Sequence, residues 1–261
     1  MKRTGLLTAI LLMASLFPVM AQTQGPKTKV IAHRGAWKNT GAPQNSIASL
    51  QEAIKLGCFG SEFDVHLSAD SVLVLSHDHV IQGVDIEKAT AAQLAAVKLS
   101  NGESLPTLEA FLKEGLKQSK TRLVLEIKAS KVSKERSLAL TTKAVQMVKA
   151  LKGQALVDYI SFDYDVCKRV KALDPSAKVA YLNGEKSPEQ LAEDGLYGLD
   201  YHQSVLKKNE NWIKEAQQKN LTVNTWTINQ REMMDWMLER NVDFITTDEP
   251  EQLLNILKSG R

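Results

Sequence analysis

Eight short β-rich runs recur between segments of helical periodicity, and this alternation limits the folds open to the chain more than any other feature. The runs are KVIAHRG (29–35), FGSEFDVHL (59–67), RLVLEIK (122–128), VDYISFD (157–163), KVAYLN (178–183), YGLDYHQ (197–203), TVNTWTIN (222–229) and VDFITTDEP (242–250). Apolar residues at helical spacing follow several of them, over 46–56, 107–116, 137–151 and 230–240. Strands alternating with helices imply parallel βαβ units. Eight such units in about 240 residues predict an α/β chain closed as a (β/α)8, or TIM, barrel, with its functional residues at the C-terminal ends of the strands. A ninth run, VLVLSHD (72–78), follows the second too closely for a crossover connection. It is expected as an extra hairpin strand, its turn near Ala69-Asp70 bringing His77 back opposite Glu62.

Residues 1–21 carry Lys2 and Arg3, an uncharged apolar run, and small or aliphatic residues at Val19-Met20-Ala21. They read as a secretory signal peptide. The apolar run falls short of the roughly 20 residues of a membrane span, Pro18 interrupts it, and no later stretch is apolar enough to cross a membrane. The chain is therefore expected to be exported, periplasmic or secreted, with residues 22–28 a short lead and 29–261 a single barrel domain. The formal net charge is +3, and loss of Lys2 and Arg3 leaves 31 basic against 30 acidic residues. A nearly neutral chain does not fit a nucleic-acid partner. Export permits a disulfide between Cys58 and Cys167, but each lies in an apolar pattern, so two buried free thiols are expected. Nothing in the sequence sets an oligomeric state.

Barrel strands are buried on both faces and should be almost wholly apolar. His33-Arg34, Glu62 with Asp64, Glu126 with Lys128, and Asp248 break that rule. Residues two apart on a strand share a face, so Glu62 and Asp64 project together, as do Glu126 and Lys128. Three carboxylates at one barrel mouth repel one another unless a cation sits between them. A hard, oxygen-seeking ion, Ca2+ or Mg2+, fits that donor set. A single acid would be read as a surface or capping residue; E-x-D and E-x-K together favour the metal site. No two histidines have the helical spacing of a zinc site, and no cysteine pair accompanies them. His33 and His77 each end an apolar run, His66 shares the face of Asp64 and either lines or supports the site, and His79 is expected in solvent. The absence of a G-x-S-x-G elbow, a glycine-rich phosphate loop and a dinucleotide fingerprint removes acyl-enzyme and nucleotide chemistry. What remains is one divalent cation, two imidazoles, and the cations Arg34 and Lys128. That set suits a phosphate diester.

The motifs HRG (33–35), Pro43-Gln44-Asn45-Ser46, E-x-D (62–64), HD (77–78), LPTL (105–108), E-x-K (126–128), Trp226-Thr227 and TTD-x-P (246–250), in this order, resemble those of the glycerophosphodiester phosphodiesterases. The resemblance runs from about residue 29 to 257. It implies a (β/α)8 barrel that hydrolyses glycerophosphodiesters to an alcohol and glycerol 3-phosphate with a divalent cation. It further implies Glu62, Asp64 and Glu126 as metal ligands, His33 and His77 as the acid/base pair, and Arg34 and Lys128 as phosphate contacts. Within that pair it assigns His77 as acid and His33 as base, which the residues themselves do not distinguish. Trp226 is either a wall for the glycerol or alcohol portion or a core tryptophan. Two departures stand out: Gln44 and Ser46 where the family usually has P-E-N-T, and a short stretch after His77-Asp78 where the family carries an arginine- and threonine-containing segment. The competing readings are a larger phosphoinositol or lysophospholipid substrate, and a catalytically silent glycerophosphate-binding barrel.

Overall fold

The computed structural model describes residues 28–259. The expected signal peptide and most of the short lead lie outside them. Eleven strands form: β1 Lys29–Ala32, β2 Gly60–Leu67, β3 Leu73–Leu75, β4 Val80–Ile81, β5 Val84–Asp85, β6 Arg122–Ile127, β7 Val157–Ser161, β8 Val179–Tyr181, β9 Gly198–His202, β10 Thr222–Trp226 and β11 Phe244–Thr247. Ten helices accompany them: α1 Ile47–Leu56, α2 Ala91–Ala95, α3 Leu108–Gly115, α4 Lys134–Ala150, α5 Tyr164–Leu173, α6 Pro188–Glu193, α7 Gln203–Lys208, α8 Asn211–Gln218, α9 Arg231–Glu239 and α10 Pro250–Ser259. Strands β1, β2, β6, β7, β8, β9, β10 and β11 pair in parallel, and β1 pairs with both β2 and β11, which closes the eight-stranded barrel.

Alternation along each strand divides the apolar residues between two layers. Ile31, Val124, Ile160 and Leu182 fill the lumen, with Phe59 and Phe244 stacked at 5.2 Å. Residues on the opposite face of the strands, such as Val30, Phe63, Leu125 and Tyr159, face the surrounding helices, and Phe63 meets Phe111 of α3 at 4.3 Å. Gly60 faces the lumen where a Cβ would come within 3.2 Å of Ile31 and 3.3 Å of Val124, so the missing side chain makes room for both.

The extra strand forms as expected. β3 runs antiparallel to β2 and takes the edge of β2 beyond the end of β1, in the register Val65↔Leu75. That register centres the turn on Asp70, so continuing the ladder would set His77 against Phe63, one residue from the expected Glu62. The cause is the tight turn in which Ser71, at φ +63°, donates its main-chain N–H to Ser68. Beyond β3 the chain makes an excursion over residues 76–105, in which the β4–β5 hairpin and α2 enclose a small second core of Val74, Ile86, Ala89, Leu94 and Leu105. Ser46 and Thr107 cap α1 and α3 at the positions where the sequence pattern begins, each accepting a main-chain N–H. α4 begins earlier than its apolar spacing suggests, with Ser133 as cap, because its first turn is polar. Cys58 and Cys167 are free and buried, and burial pushes the Cys58 thiol up to about 12. No helix among the described residues is long and apolar enough to cross a membrane.

Candidate active site

Every β-rich run of the sequence but the second, whose strand also ends at Leu67, overshoots its strand at the C-terminal end, and several of the extra residues, among them His33, Arg34, Lys128 and Asp248, are polar groups gathered at the barrel mouth. The parallel ladder explains why they converge: Ala32 is level with Ser61 and with Thr247, which brings His33 beside Glu62 and Asp248, while Asp64 is level with Glu126. One oxygen each of Glu62, Asp64 and Glu126 lie within 4.8 Å of one another, and all three residues are buried. Glu62 Oε1 has no hydrogen-bond partner among the described residues. An orphaned buried carboxylate oxygen is costly, and a hard cation is the partner that this all-oxygen donor set fits.

The electrostatics of the three acids differ. Burial, then the charges of Asp64 and Glu126, push Glu62 well above the usual carboxylate range. Burial, with Asp64 adding to it, pushes Glu126 up to about 7. Burial also acts to raise Asp64, but the Lys128 charge, His77 and a hydrogen bond from Asn45 outweigh it and the net shift is downward. Asn45, at φ +56°, clamps Asp64 from both ends: its amide donates to Oδ2 at 2.9 Å and its oxygen accepts the Asp64 main-chain N–H at 3.0 Å. This clamp is not legible in the spacing, although Asn45 stands in one of the motifs quoted above.

Arg34 adopts φ +56°, donates its main-chain N–H to Glu62 Oε2 at 2.8 Å, and forks toward Gln44, whose amide oxygen accepts from Nη1 at 2.7 Å. Gln44 thus keeps a hydrogen bond to the guanidinium but adds no negative charge beside it. Lys128 donates to Glu126 at 2.7 Å and lies 2.9 Å from Asp64 Oδ1. Its ammonium is committed to the carboxylates and does not border the open cavity. Burial acts to depress it, but those two charges outweigh burial and raise it.

His33 Nδ1 hydrogen-bonds Asp248 Oδ1 at 2.7 Å, and Asn229 holds the other oxygen of Asp248 at 2.7 Å. Burial acts to raise Asp248; the hydrogen bond and charge of His33 prevail, and the net shift is downward. His77 meets Asp78 at 2.8 Å, but that carboxylate is 77% exposed and worth little as a partner. Burial, then the neighbouring cations Lys128 and Arg34, lower His77 against the opposing pull of Asp64. His66 is buried behind the site, where its Nε2 lies 3.4 Å from the His77 carbonyl. His79 is not in solvent: it packs against His66 at 4.6 Å with Nδ1 3.5 Å from Glu87, because the excursion folds back over it.

A cavity of about 100 Å³ at the mouth brings together His33, Arg34, Glu62, His77, Glu126 and Trp226. Asp64 and Lys128 sit behind its wall. Trp226 is half-buried, donates its indole N–H to the Asp200 carbonyl at 2.9 Å, and meets Phe162 edge-on at 5.4 Å, so it is a wall of the cavity as well as part of the barrel interior.

Residues 33–252 match the glycerophosphoryl diester phosphodiesterase family. The chain is 29% identical to a glycerophosphodiester phosphodiesterase of Caldanaerobacter subterraneus subsp. tengcongensis, covering 90% of this chain and 99% of that protein. Among solved structures it is similar to a glycerophosphodiester phosphodiesterase from Parabacteroides distasonis, 48% identical with a TM-score of 0.88 over 90% of this chain and 99% of that one. It is also similar to an Oleispira antarctica phosphodiesterase in complex with the product sn-glycerol-3-phosphate, 26% identical with a TM-score of 0.76, over 88% of this chain and 96% of the other.

Proposed function

The chain belongs to the glycerophosphoryl diester phosphodiesterase family, and from that footing we propose that it hydrolyses glycerophosphodiesters to an alcohol and glycerol 3-phosphate in a metal-dependent reaction. The observation that carries this reading is the meeting of Glu62, Asp64 and Glu126 within 4.8 Å, beside a cavity that His33, Arg34 and His77 also border. The three carboxylates would hold one divalent cation, Ca2+ or Mg2+. Bound there, it supplies Lewis-acid stabilisation of negative charge on the phosphoryl oxygens.

Arg34 offers the diester phosphate a planar fork of donors. Lys128 keeps Asp64 ionised and offsets part of the charge behind the phosphate. His33 takes the proton of the attacking water as its oxygen bonds to phosphorus. The hydrogen bond from Nδ1 to Asp248 supports this assignment, since it leaves Nε2 free to accept and stabilises the imidazolium that forms. His77 gives a proton to the alcohol oxygen as its bond to phosphorus breaks. Its half-exposed position at the rim, where an alcohol can depart, supports that role. The pattern of residues 1–21 supports export of the enzyme to the periplasm or beyond.

The test is to strip the protein lacking residues 1–21 with a chelator, add Ca2+, Mg2+ or neither, and assay glycerol 3-phosphate released from choline, ethanolamine and glycerol diesters. Release that depends on a cation is expected. No release with either cation overturns the enzyme reading in favour of a silent binding barrel, and acyl-glycerol 3-phosphate formed from a lysophospholipid, with no release from the three diesters, moves the substrate to lysophospholipids.

A further inference from the structure

The two halves of the barrel mouth differ in chemistry. Strands β1, β2 and β6 supply the charged groups, whereas the half built on β7 to β10 presents Ile160, Phe162, Leu182 and Trp226 to the same cavity. One ionisable group interrupts that half, which otherwise offers only the hydroxyl residue Thr227 beside its apolar side chains. Asp200 points inward from β9 and is 2% exposed, and its Oδ1 has no hydrogen-bond partner among the described residues although it borders the cavity. The neighbouring strand carries Asn224 in register with it, and the Asn224 amide donates to Thr246 Oγ1 at 3.0 Å. The ion pairs of the mouth leave Asp200 aside, and the charge that acts on it is that of Glu126. A buried carboxyl oxygen without a partner calls for one, and a cavity that is otherwise apolar uses such a group to orient its ligand.

We propose that Asp200 is a specificity-determining residue that hydrogen-bonds a free hydroxyl of the substrate's glycerol moiety. The inference rests on the glycerophosphodiester reading above. A phosphate held against Arg34 leaves the carbon chain to the other half of the mouth, where a cavity of about 100 Å³ that Asp200 borders suits a small end group. Glycerol is the small, constant part of these diesters; the head-group alcohol varies in size and needs the open rim. Burial pushes the Asp200 carboxyl up to about 8, so near neutral pH it keeps its proton and can both donate to and accept from a hydroxyl. Acylating that hydroxyl removes the proton it would donate to Asp200.

The experiment compares kcat/KM of the metal-loaded enzyme on glycerophosphocholine and on the analogue with propyl in place of glycerol, for wild type, Asp200→Ala and Asp200→Asn. The wild type is expected to prefer the glycerol diester by at least about tenfold, the scale of a hydrogen bond that leaves a buried group unsatisfied when lost. Asp200→Ala should bring that ratio to about one, mainly through KM on the glycerol diester, and Asp200→Asn should keep most of it. An equal loss on both substrates in Asp200→Ala assigns Asp200 a structural role and overturns the proposal. So does a wild type that turns over both substrates equally, a result independent of whether either variant folds. A wild type inactive on every glycerophosphodiester removes the reading on which the inference rests, and the inference with it.

Discussion

Gly35 closes the turn that carries His33 and Arg34, and replacing it by alanine tests whether that turn is held in place by helix α1. Its φ is +82°, and a Cβ there would lie 2.3 Å from Ser49 Oγ, 2.6 Å from Ser49 Cβ and 2.7 Å from the Ser49 main-chain carbon. A rotamer change could move the hydroxyl but not the other two atoms. Nor can the helix withdraw freely, since Ser49 O accepts the Ala36 N–H at 2.9 Å and Ser49 Oγ donates to Arg34 O at 3.0 Å. Gly41 is the control, because it has nearly the same φ, +78°, with nothing within 4 Å of its Cβ. Both variants bear the cost of a left-handed backbone, about 1–2 kcal/mol. Only Gly35→Ala adds overpacking, typically about 1–3 kcal/mol, for a total of about 2–5 kcal/mol. Urea unfolding of the two variants with a common slope measures the difference. The overlap should also shift the Arg34 N–H from Glu62, a hydrogen bond of 2.8 Å, and about an ångström of misplacement costs on the order of a hundredfold in rate. At saturating cation, kcat/KM should therefore fall steeply in Gly35→Ala and stay near wild type in Gly41→Ala. If the two variants lose equal stability and equal activity, Ser49 yields freely and the turn is not held as argued.

The division of roles between the histidines predicts that a nitrophenyl leaving group, which departs without a proton, rescues His77→Ala but not His33→Ala, against losses of about 10²–10⁴-fold on a choline diester; rescue of His33→Ala alone would reverse the assignment. Without metal, Glu62 retains in the fold a proton that the unfolded chain has lost above the ordinary carboxylate range, so its contribution to stability falls as pH rises. Glu62→Gln removes that dependence, and its stability relative to the metal-free wild type should grow from pH 5 upward by as much as about 1.4 kcal/mol per pH unit; a gap that stays constant with pH would show that Glu62 is not held protonated. Ca2+ or Mg2+ at about a hundred times its dissociation constant should stabilise the wild type by about 2.7 kcal/mol. A thermal shift that persists unchanged in Asp64→Ala would place the ion elsewhere.

Most of the barrel was legible in the chain because the information is local. The periods of the apolar pattern, the caps Ser46 and Thr107, and the short spacing that forces β3 into a hairpin depend on neighbours a few residues apart. Alternation on a strand sets Glu62 with Asp64 on one face, and a parallel barrel gathers strand ends at one mouth. Those two facts placed His33, Arg34, Glu62, Asp64, Glu126 and Lys128 at one end of the fold, the hairpin turn returned His77 to them, and Trp226 was named only through the family resemblance. The pairing within that group was not legible, because it depends on how distant segments register when the sheet closes. His33 meets Asp248 across 215 positions, through the β1–β11 ladder. The hold of Asn45 on Asp64 needs a left-handed backbone that no periodicity announces, and the commitment of Lys128 to two carboxylates depends on β2 and β6 being aligned at Asp64↔Glu126. His79 and Asp200 show the same limit from the side of burial: a loop histidine is covered because the excursion folds back, and a strand aspartate is left with an unpartnered oxygen because its inner face meets the cavity. Local sequence determines which side of a strand a residue occupies. Tertiary closure decides what stands opposite it and how much water remains, and those two quantities set the charge of every group at the site.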